Sequence, residues 1–300
     1  MASLKEVRNR IVSVGSTQQI TSAMKMVSAA KLRRAQDAVT QMRPYANKMR
    51  EILENLSGSL DSNEGSFSKQ REVKNVLLVV VTSNRGLCGG FNSNVIKRAM
   101  VEVREQYSGA KIHYLAIGKK GADFFRKSTY TCAFAEMDTI SIFDKLTYAN
   151  VAPIAENIMK GFEEGTYDKV ILLYNQFKNA AVQITQAEQF LPVVAAKVEA
   201  RPDDTVGRGK KAQSADYIFE PSRAEIVLDL IPRSLKTQLY KAVLDSVASE
   251  HGARMTAMHK ATDNAQELIR ALKISYNKAR QAAITNEILE IVGGAEALAG

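Results

Sequence analysis

The sequence predicts an α/β protein: a long antiparallel coiled coil of N- and C-terminal helices plus a central Rossmann-like α/β domain. Three observations carry this expectation. An apolar seam recurs at alternating steps of three and four residues through the first 57 positions. From Pro232 to Val292 there is one glycine, Gly252, and no further proline. Between the two ends, β-branched runs alternate with helical stretches, the order expected of a mostly parallel sheet with crossover helices. The boundaries that follow are an N-terminal helix at 1–58, an α/β domain at 74–191, a flexible insertion at 192–217 and a C-terminal helix at 218–300.

The N-terminal seam reads Leu4, Val7, Ile11, Val14, Gln18, Thr21, Lys25, Ser28, Leu32, Ala35, Val39, Met42, Ala46, Met49, Leu53, Leu56. At a rise of 1.5 Å per residue such a helix is roughly 80 Å long. Pro44 lacks an amide donor and is expected to kink the rod or restart its hydrogen bonding. Ser57-Gly58-Ser59 stops it. The middle of the seam, from Gln18 to Ser28, is polar or small where a stable coiled coil wants leucine or isoleucine. Four polar positions in a row exceed what register setting needs, so this stretch is expected to face something other than a partner helix, or to move.

In the middle of the chain, Asn75-Val76-Leu77-Leu78-Val79-Val80-Val81-Thr82 is the run of a strand buried on both faces. A helix is expected near 93–107, a strand at Lys111-Ile112-His113-Tyr114-Leu115-Ala116-Ile117, and a helix at about 119–127. A short strand near 130–134, a helix at 147–163, a buried strand at 169–174 and an edge strand at 181–190 complete the domain. The charge- and glycine-rich stretch 199–214 reads as flexible.

The C-terminal helix opens with Glu220-Pro221-Ser222 and Glu225, which resembles a capping box. Pro232 suggests a short first helix with a second starting beside it. The late seam runs Met258, Ala261, Ala265, Leu268, Leu272, Ser275, Ala279, Ala282, Asn286, Leu289, and Gly293-Gly294 is expected to end the helix. Intramolecular antiparallel pairing would bring Val7 and Ile11 near Leu289; pairing of two chains in parallel is the alternative.

The 300 residues carry a net charge of +9, and the first 50 hold ten Lys/Arg against Glu6 and Asp37. Such a basic end suits an acidic protein surface, an acidic lipid or nucleic acid, or is a solvated helix face. The chain has no tryptophan and scattered aromatics, so nothing resembles a base-stacking platform. No apolar run approaches the roughly 20 residues of a membrane span, and Met1-Ala2-Ser3-Leu4-Lys5-Glu6 lacks a secretory core. Cys88 and Cys132 give neither a disulfide framework nor a zinc spacing, which suits a reducing compartment. The glycine-rich Ser83-Asn84-Arg85-Gly86-Leu87-Cys88-Gly89-Gly90-Phe91-Asn92 follows the first strand but lacks the Lys-Ser/Thr ending of a P-loop and the Gly-x-Gly-x-x-Gly spacing. A tight turn is the better reading. His113, His251 and His259 form no metal or nucleophile constellation, so neither an active site nor a cofactor is expected.

Two segments resemble ATP synthase gamma subunits. One is Ile20-Thr21-Ser22-Ala23-Met24-Lys25-Met26-Val27-Ser28-Ala29-Ala30-Lys31-Leu32-Arg33-Arg34. The other is Tyr276-Asn277-Lys278-Ala279-Arg280-Gln281-Ala282-Ala283-Ile284-Thr285-Asn286-Glu287-Ile288-Leu289-Glu290-Ile291-Val292-Gly293-Gly294-Ala295. Arg85-Gly86-Leu87-Cys88-Gly89-Gly90 and Ala253-Arg254-Met255-Thr256-Ala257-Met258 fit the same family. The resemblance implies a non-catalytic rotor shaft without a cofactor, threaded through a hexameric ring of alpha and beta subunits. Its globular foot would rest on epsilon and the membrane c-ring, at the cytoplasmic side of a bacterial inner membrane. By the same resemblance Met24, Lys25, Met26, Arg280, Gln281, Thr285 and Glu287 contact the ring, Tyr217 and Phe219 contact the c-ring and epsilon, and the apolar tail through Ile291, Val292 and Leu298 turns in a bearing. The competing reading is a nucleotide-binding α/β enzyme with coiled-coil dimerisation arms; a basic coiled coil that binds nucleic acid is a third.

Overall fold

A computed structural model describes residues 4–57, 67–193 and 223–299. Along the chain run α1 (Leu4–Ser57), β1 (Asn75–Val81), α2 (Phe91–Gln106), β2 (Lys111–Ile117), α3 (Lys119–Phe125), β3 (Thr131–Cys132), α4 (Tyr148–Glu163), β4 (Lys169–Phe177), β5 (Gln183–Leu191) and α5 (Arg223–Ala299). They gather into two compact units, one of Met1–Ala30 with Arg254–Gly300 and one of Lys31–Ala253, so α1 and α5 each contribute to both.

The larger unit is built on one sheet of order β3-β2-β1-β4-β5. Its first four strands are parallel, and β5 runs antiparallel along β4 at the edge. The apolar run of β1 explains its central place, because alternate residues serve two cores. Leu77, Val79 and Val81 pack with Ile154, Ile158 and Phe162 of α4 and with Leu235, Leu239 and Val243 of α5. Val76, Leu78 and Val80 pack on the other face with Val95 and Ala99 of α2 and with Phe125 of α3. Each such aliphatic side chain contributes about 1.5–3 kcal/mol when fully withdrawn from water.

The parallel strands and their crossovers match the sequence expectation closely; β3 is shorter, two residues where five were expected. The ends of α5 differ more. Pro232 lies inside a continuous helix and starts no second one. Ile231 and Leu235 on either side of it are buried in the sheet's core, and that packing overrides the local penalty of a missing donor. Gly293 and Gly294 do not end α5, which continues to Ala299. A glycine pair costs about 2 kcal/mol relative to alanine, and the Ala-Glu-Ala-Leu-Ala that follows is among the best helix-forming sequences. Pro44 likewise sits inside α1. The capping signal at 220–222 and the expected insertion at 199–214 lie outside the described residues.

One glycine is fixed by geometry. Gly118, between β2 and α3, has φ +109°, and a β-carbon there would run into the Thr82 carbonyl. The close approach lets Thr82 N–H donate to the Ile117 carbonyl at 2.8 Å and Gly121 N–H donate to Thr82 Oγ1 at 2.9 Å, tying the ends of β1 and β2 together. Gly118→Ala is therefore expected to lower the unfolding free energy by about 3 kcal/mol. Gly109→Ala, where an added β-carbon meets nothing within 4 Å, should change it by less than about 0.5 kcal/mol. Urea denaturation of both variants checks the pair, and equal midpoints would refute the steric account.

Candidate functional site

Within the smaller unit, α1 and α5 lie antiparallel. Thr21 Oγ1 meets Thr262 Oγ1 at 2.9 Å and Lys25 Nζ meets His259 Nδ1 at 3.4 Å, so the partner number falls as the α1 number rises. The seam expected along α1 points inward throughout this unit: Val7 and Ser28 are buried, and Leu4, Ile11, Val14, Gln18, Thr21 and Lys25 are half-buried. In the larger unit its continuation is also withdrawn from solvent, with Leu32, Ala35, Val39 and Met49 buried. One antiparallel seam within a single chain uses the faces that a parallel two-chain pairing would need.

Three expectations are corrected here. The polar seam positions Gln18, Thr21, Lys25 and Ser28 are withdrawn from solvent, and Thr21 and Lys25 meet α5, whereas the seam was expected to face something else or to move. Its hydroxyls are satisfied locally: Thr21 Oγ1 lies 3.0 Å from the Gln18 carbonyl, Ser28 donates to the Met24 carbonyl at 2.8 Å, and Thr262 Oγ1 lies 2.8 Å from the Met258 carbonyl. Each threonine has one proton, so one hydroxyl donates to its own helix while the other donates across, and neither is stranded. Second, this register sets Val7 opposite the region of Tyr276, about two heptads short of Leu289, which is 63% exposed. Third, one of the two seam positions per heptad on α5 moves by a residue. Ile269, Tyr276 and Ala283 are half-buried, whereas Leu268, Ser275 and Ala282 are exposed. Strict counting cannot choose between adjacent apolar neighbours; the facing helix can.

The ring-contact candidates fall into two groups that the structure does not bring together. Met24 and Lys25 are half-buried against α5, and Met26 points outward at 65% exposure. Arg280, Gln281, Thr285 and Glu287 are all exposed and lie 21 residues or more beyond His259, roughly 30 Å along the helix. By helical geometry Arg280 and Glu287 border one side, and Gln281 and Thr285 the other, of a stripe formed by Ile284, Ile288 and Ile291. That stripe is open to solvent, with Ile291 71% exposed. Apolar surface and hydrogen-bonding groups thus lie side by side on this face of α5. Tyr217 and Phe219 lie outside the described residues, as does the side chain of Leu298.

The larger unit holds a second candidate place. In open α/β sheets ligands bind outside the carboxyl ends of the strands where the strand order reverses, here beside β1 and β4. The C-terminal residues of α5 within this unit fill that crevice. Ser249 donates to the Asn175 carbonyl at 2.9 Å, Asn175 Nδ2 donates to the Phe91 carbonyl at 3.0 Å, and Thr185 donates to Asn175 Oδ1 at 2.8 Å. Gly252 presses on the β4–β5 turn so closely that a β-carbon would lie 3.1 Å from the Ala180 carbonyl. Cys88, Phe91 and Ala253 close the gap as a small apolar cluster.

The glycine-rich turn beside this crevice is tied to itself. Ser83 Oγ donates to the Arg85 carbonyl at 2.7 Å, and Asn92 accepts from Ser83 N–H at 2.9 Å. Leu87 and Gly89 take the left-handed conformation. Among the described residues no three His, Cys, Asp or Glu side chains are grouped to hold a metal ion, and no helix is long and apolar enough to cross a membrane. His113, whose pKa is lowered by burial and then by Lys111, packs edge-on against Tyr167 at 5.3 Å, a packing arrangement.

Asn175, Ser249, His259 and Thr262 escaped sequence reading because each matters through a partner 74 to 241 residues away. The lone Gly252 was the one local sign of a close approach.

A family model described as ATP synthase matches residues 3–298. The ATP synthase gamma chain of Flavobacterium johnsoniae is 61% identical over the full length of both chains. That of Cytophaga hutchinsonii is 52% identical over 99% of each. Among solved structures, a rotor chain of the Euglena gracilis mitochondrial ATP synthase aligns with TM-score 0.62, covering 94% of this chain and 98% of that one at 22% identity, a likeness of fold.

Asn175→Ala would strand the Phe91 carbonyl and the Thr185 hydroxyl in a buried place. It is expected to cost about 2–4 kcal/mol, against about 1 kcal/mol for Ser249→Ala. Urea midpoints of the two variants measure the difference; equal losses would mean that Asn175 is not the centre of the network.

Proposed function

The chain belongs to the ATP synthase gamma chain family, and on that premise we propose that it is the non-catalytic central-stalk rotor of a bacterial ATP synthase. Its partners are the alpha and beta subunits of the hexameric ring, the epsilon subunit and the c-ring. It reaches the cytoplasmic face of the inner membrane through the complex, as a peripheral subunit. Residues 1–58 and 218–300 serve as the shaft and 74–191 as the foot, with the insertion at 192–217 between them. The observation that carries this reading is full-length 61% identity to a gamma chain on a chain whose two ends pair antiparallel.

The mechanism follows from asymmetry. Beta sites of identical sequence differ only if something unlike in its contacts touches each of them, and a ligand shifts a conformational equilibrium only by its differential affinity for the states. A single shaft inside a ring is such a ligand, and turning it changes which site it favours. Arg280, Gln281, Thr285 and Glu287 suit the task because charge-assisted hydrogen bonds contribute about 1.5–3 kcal/mol each. That is enough to bias a subunit and small enough to exchange during rotation. The apolar stripe of Ile284, Ile288 and Ile291 supplies non-directional contact, which tolerates sliding. Near the other group, Lys25 offers a positive charge beside the exposed Met26, suited to an acidic segment of the ring.

Affinity purification of the tagged chain from membranes should co-elute alpha, beta, epsilon and c subunits. The purified chain alone should turn over no ATP, and ATP turnover by it at the rate of the complex would overturn the reading. In the assembled enzyme, Arg280→Ala with Gln281→Ala should lower proton-driven synthesis about tenfold or more. Its unfolding midpoint should stay unchanged because both side chains are exposed. Unaltered synthesis would remove these two residues from the contact.

A further inference from the structure

We propose that Ser249 and Asn175 are positioning residues that fix the rotational setting of α5 in the larger unit, so that foot and shaft turn together without play; the inference rests on the rotor reading above. The observation is a change of character along one face of the helix. Leu235, Leu239, Ala242, Ser246, Ser249 and Ala253 follow one another at steps of four and three, and all are buried. They form a single stripe. Its first half carries long apolar side chains, with Leu235 and Leu239 packed in the core beside Ala242 and Val243. Its second half is small, and it ends at Ala253, the last residue of this unit.

The two halves resist turning differently. A leucine seated among other side chains must leave its place before the helix can rotate, and a close-packed interior opposes that. Serine and alanine are too short to interlock, so a helix face made of them is smooth. Non-directional contact selects no single angle on such a face. In the proposed rotor, however, the twist between foot and shaft acts on this very stretch.

Two features supply the missing restraint. Ser249 Oγ donates to the Asn175 carbonyl on β4 at 2.9 Å, and the two residues are 0% and 2% exposed, so water does not stand in for the bond. A hydrogen bond weakens steeply as it departs from linearity, so this one marks a rotational setting. Asn175 is itself held from two sides. Its Nδ2 donates to the Phe91 carbonyl at 3.0 Å, and its Oδ1 accepts from Thr185 on β5 at 2.8 Å. A pull on Ser249 therefore reaches β4, β5 and the start of α2 at once. Close by on the same side of α5, Gly252 sits so near the β4–β5 turn that a β-carbon would meet the Ala180 carbonyl at 3.1 Å. The bond and the notch together act on α5 as a key acts on an axle.

The test reads the angle of the foot in the assembled complex, with ring subunits free of reactive cysteine. Cys132 on β3 is exposed and takes a biotin and a gold particle, while the buried Cys88 stays unlabelled. With the ring fixed to a surface and ATP limiting, the particle reports the foot's angle during each pause. Ser249→Ala should widen the angular variance within a pause about twofold, and Gly252→Ala should widen it as well. Ile112→Val lies on β2 and in the core on the other face of the sheet. It should lower the urea midpoint about as much as Ser249→Ala does, yet leave the variance at the wild-type value. Wild-type variance in Ser249→Ala overturns the inference. So does widening in Ile112→Val, because the variance would then follow stability alone. A wild-type chain that joins no ring, or a particle that never steps when ATP is supplied, refutes the proposed function instead.

Discussion

The antiparallel register of α1 on α5, set by the Thr21–Thr262 pair and the Lys25–His259 contact, is the constraint on which the smaller unit depends. Alanine and small polar residues line much of that seam, so little area is buried per side chain and dispersion alone discriminates poorly between registers. A hydrogen bond across the seam discriminates well, because a slip of one residue leaves a hydroxyl facing an apolar neighbour. The polar layer thus sacrifices some stability for a defined alignment. In the proposed rotor, alignment would matter more than depth of burial, because it sets the height at which exposed residues meet their neighbours.

The two units use different physics for the same helices. In the larger one α5 is held by a conventional core, with Leu235, Leu239 and Val243 packed against the odd-numbered side chains of β1. In the smaller one α1 is the described element beside it, and beyond the level of Leu4 its described residues are largely open to solvent. The apolar stripe of Ile284, Ile288 and Ile291 would be a liability on an isolated protein. For the rotor proposed above, it is the surface that the ring would cover.

Much of this was legible in the sequence because it rests on local periodicity. Every α1 seam position from Leu4 to Met49 is withdrawn from solvent as counted, since a heptad spacing needs no knowledge of the partner to be recognised. The strands were legible because β-branched runs buried on both faces have few other uses. What stayed hidden was pairwise. Ile269 and Leu268 are equally apolar, and only the direction of the facing helix chooses between them. Pro232 and Gly293-Gly294 misled for the reverse reason: they are local signals that packing at Ile231 and Leu235, and alanine-rich flanks, outweigh. Arg280, Gln281, Thr285 and Glu287 are exposed among other exposed residues, with no pattern that geometry alone would single out, and came from resemblance.

The plugged crevice beside β1 and β4 has a consequence for how the larger unit behaves in a changing cell. Where this architecture holds a diffusible molecule, occupancy follows that molecule's supply. Here the occupant is the chain's own helix, covalently part of the same molecule and so present at an effective concentration that nothing outside can dilute. Ser249, Gly252 and Ala253 keep their seats whether metabolites are abundant or scarce. A fold that elsewhere senses its surroundings has in this molecule been made deaf to them, a useful property in a component that must stay the same while others cycle.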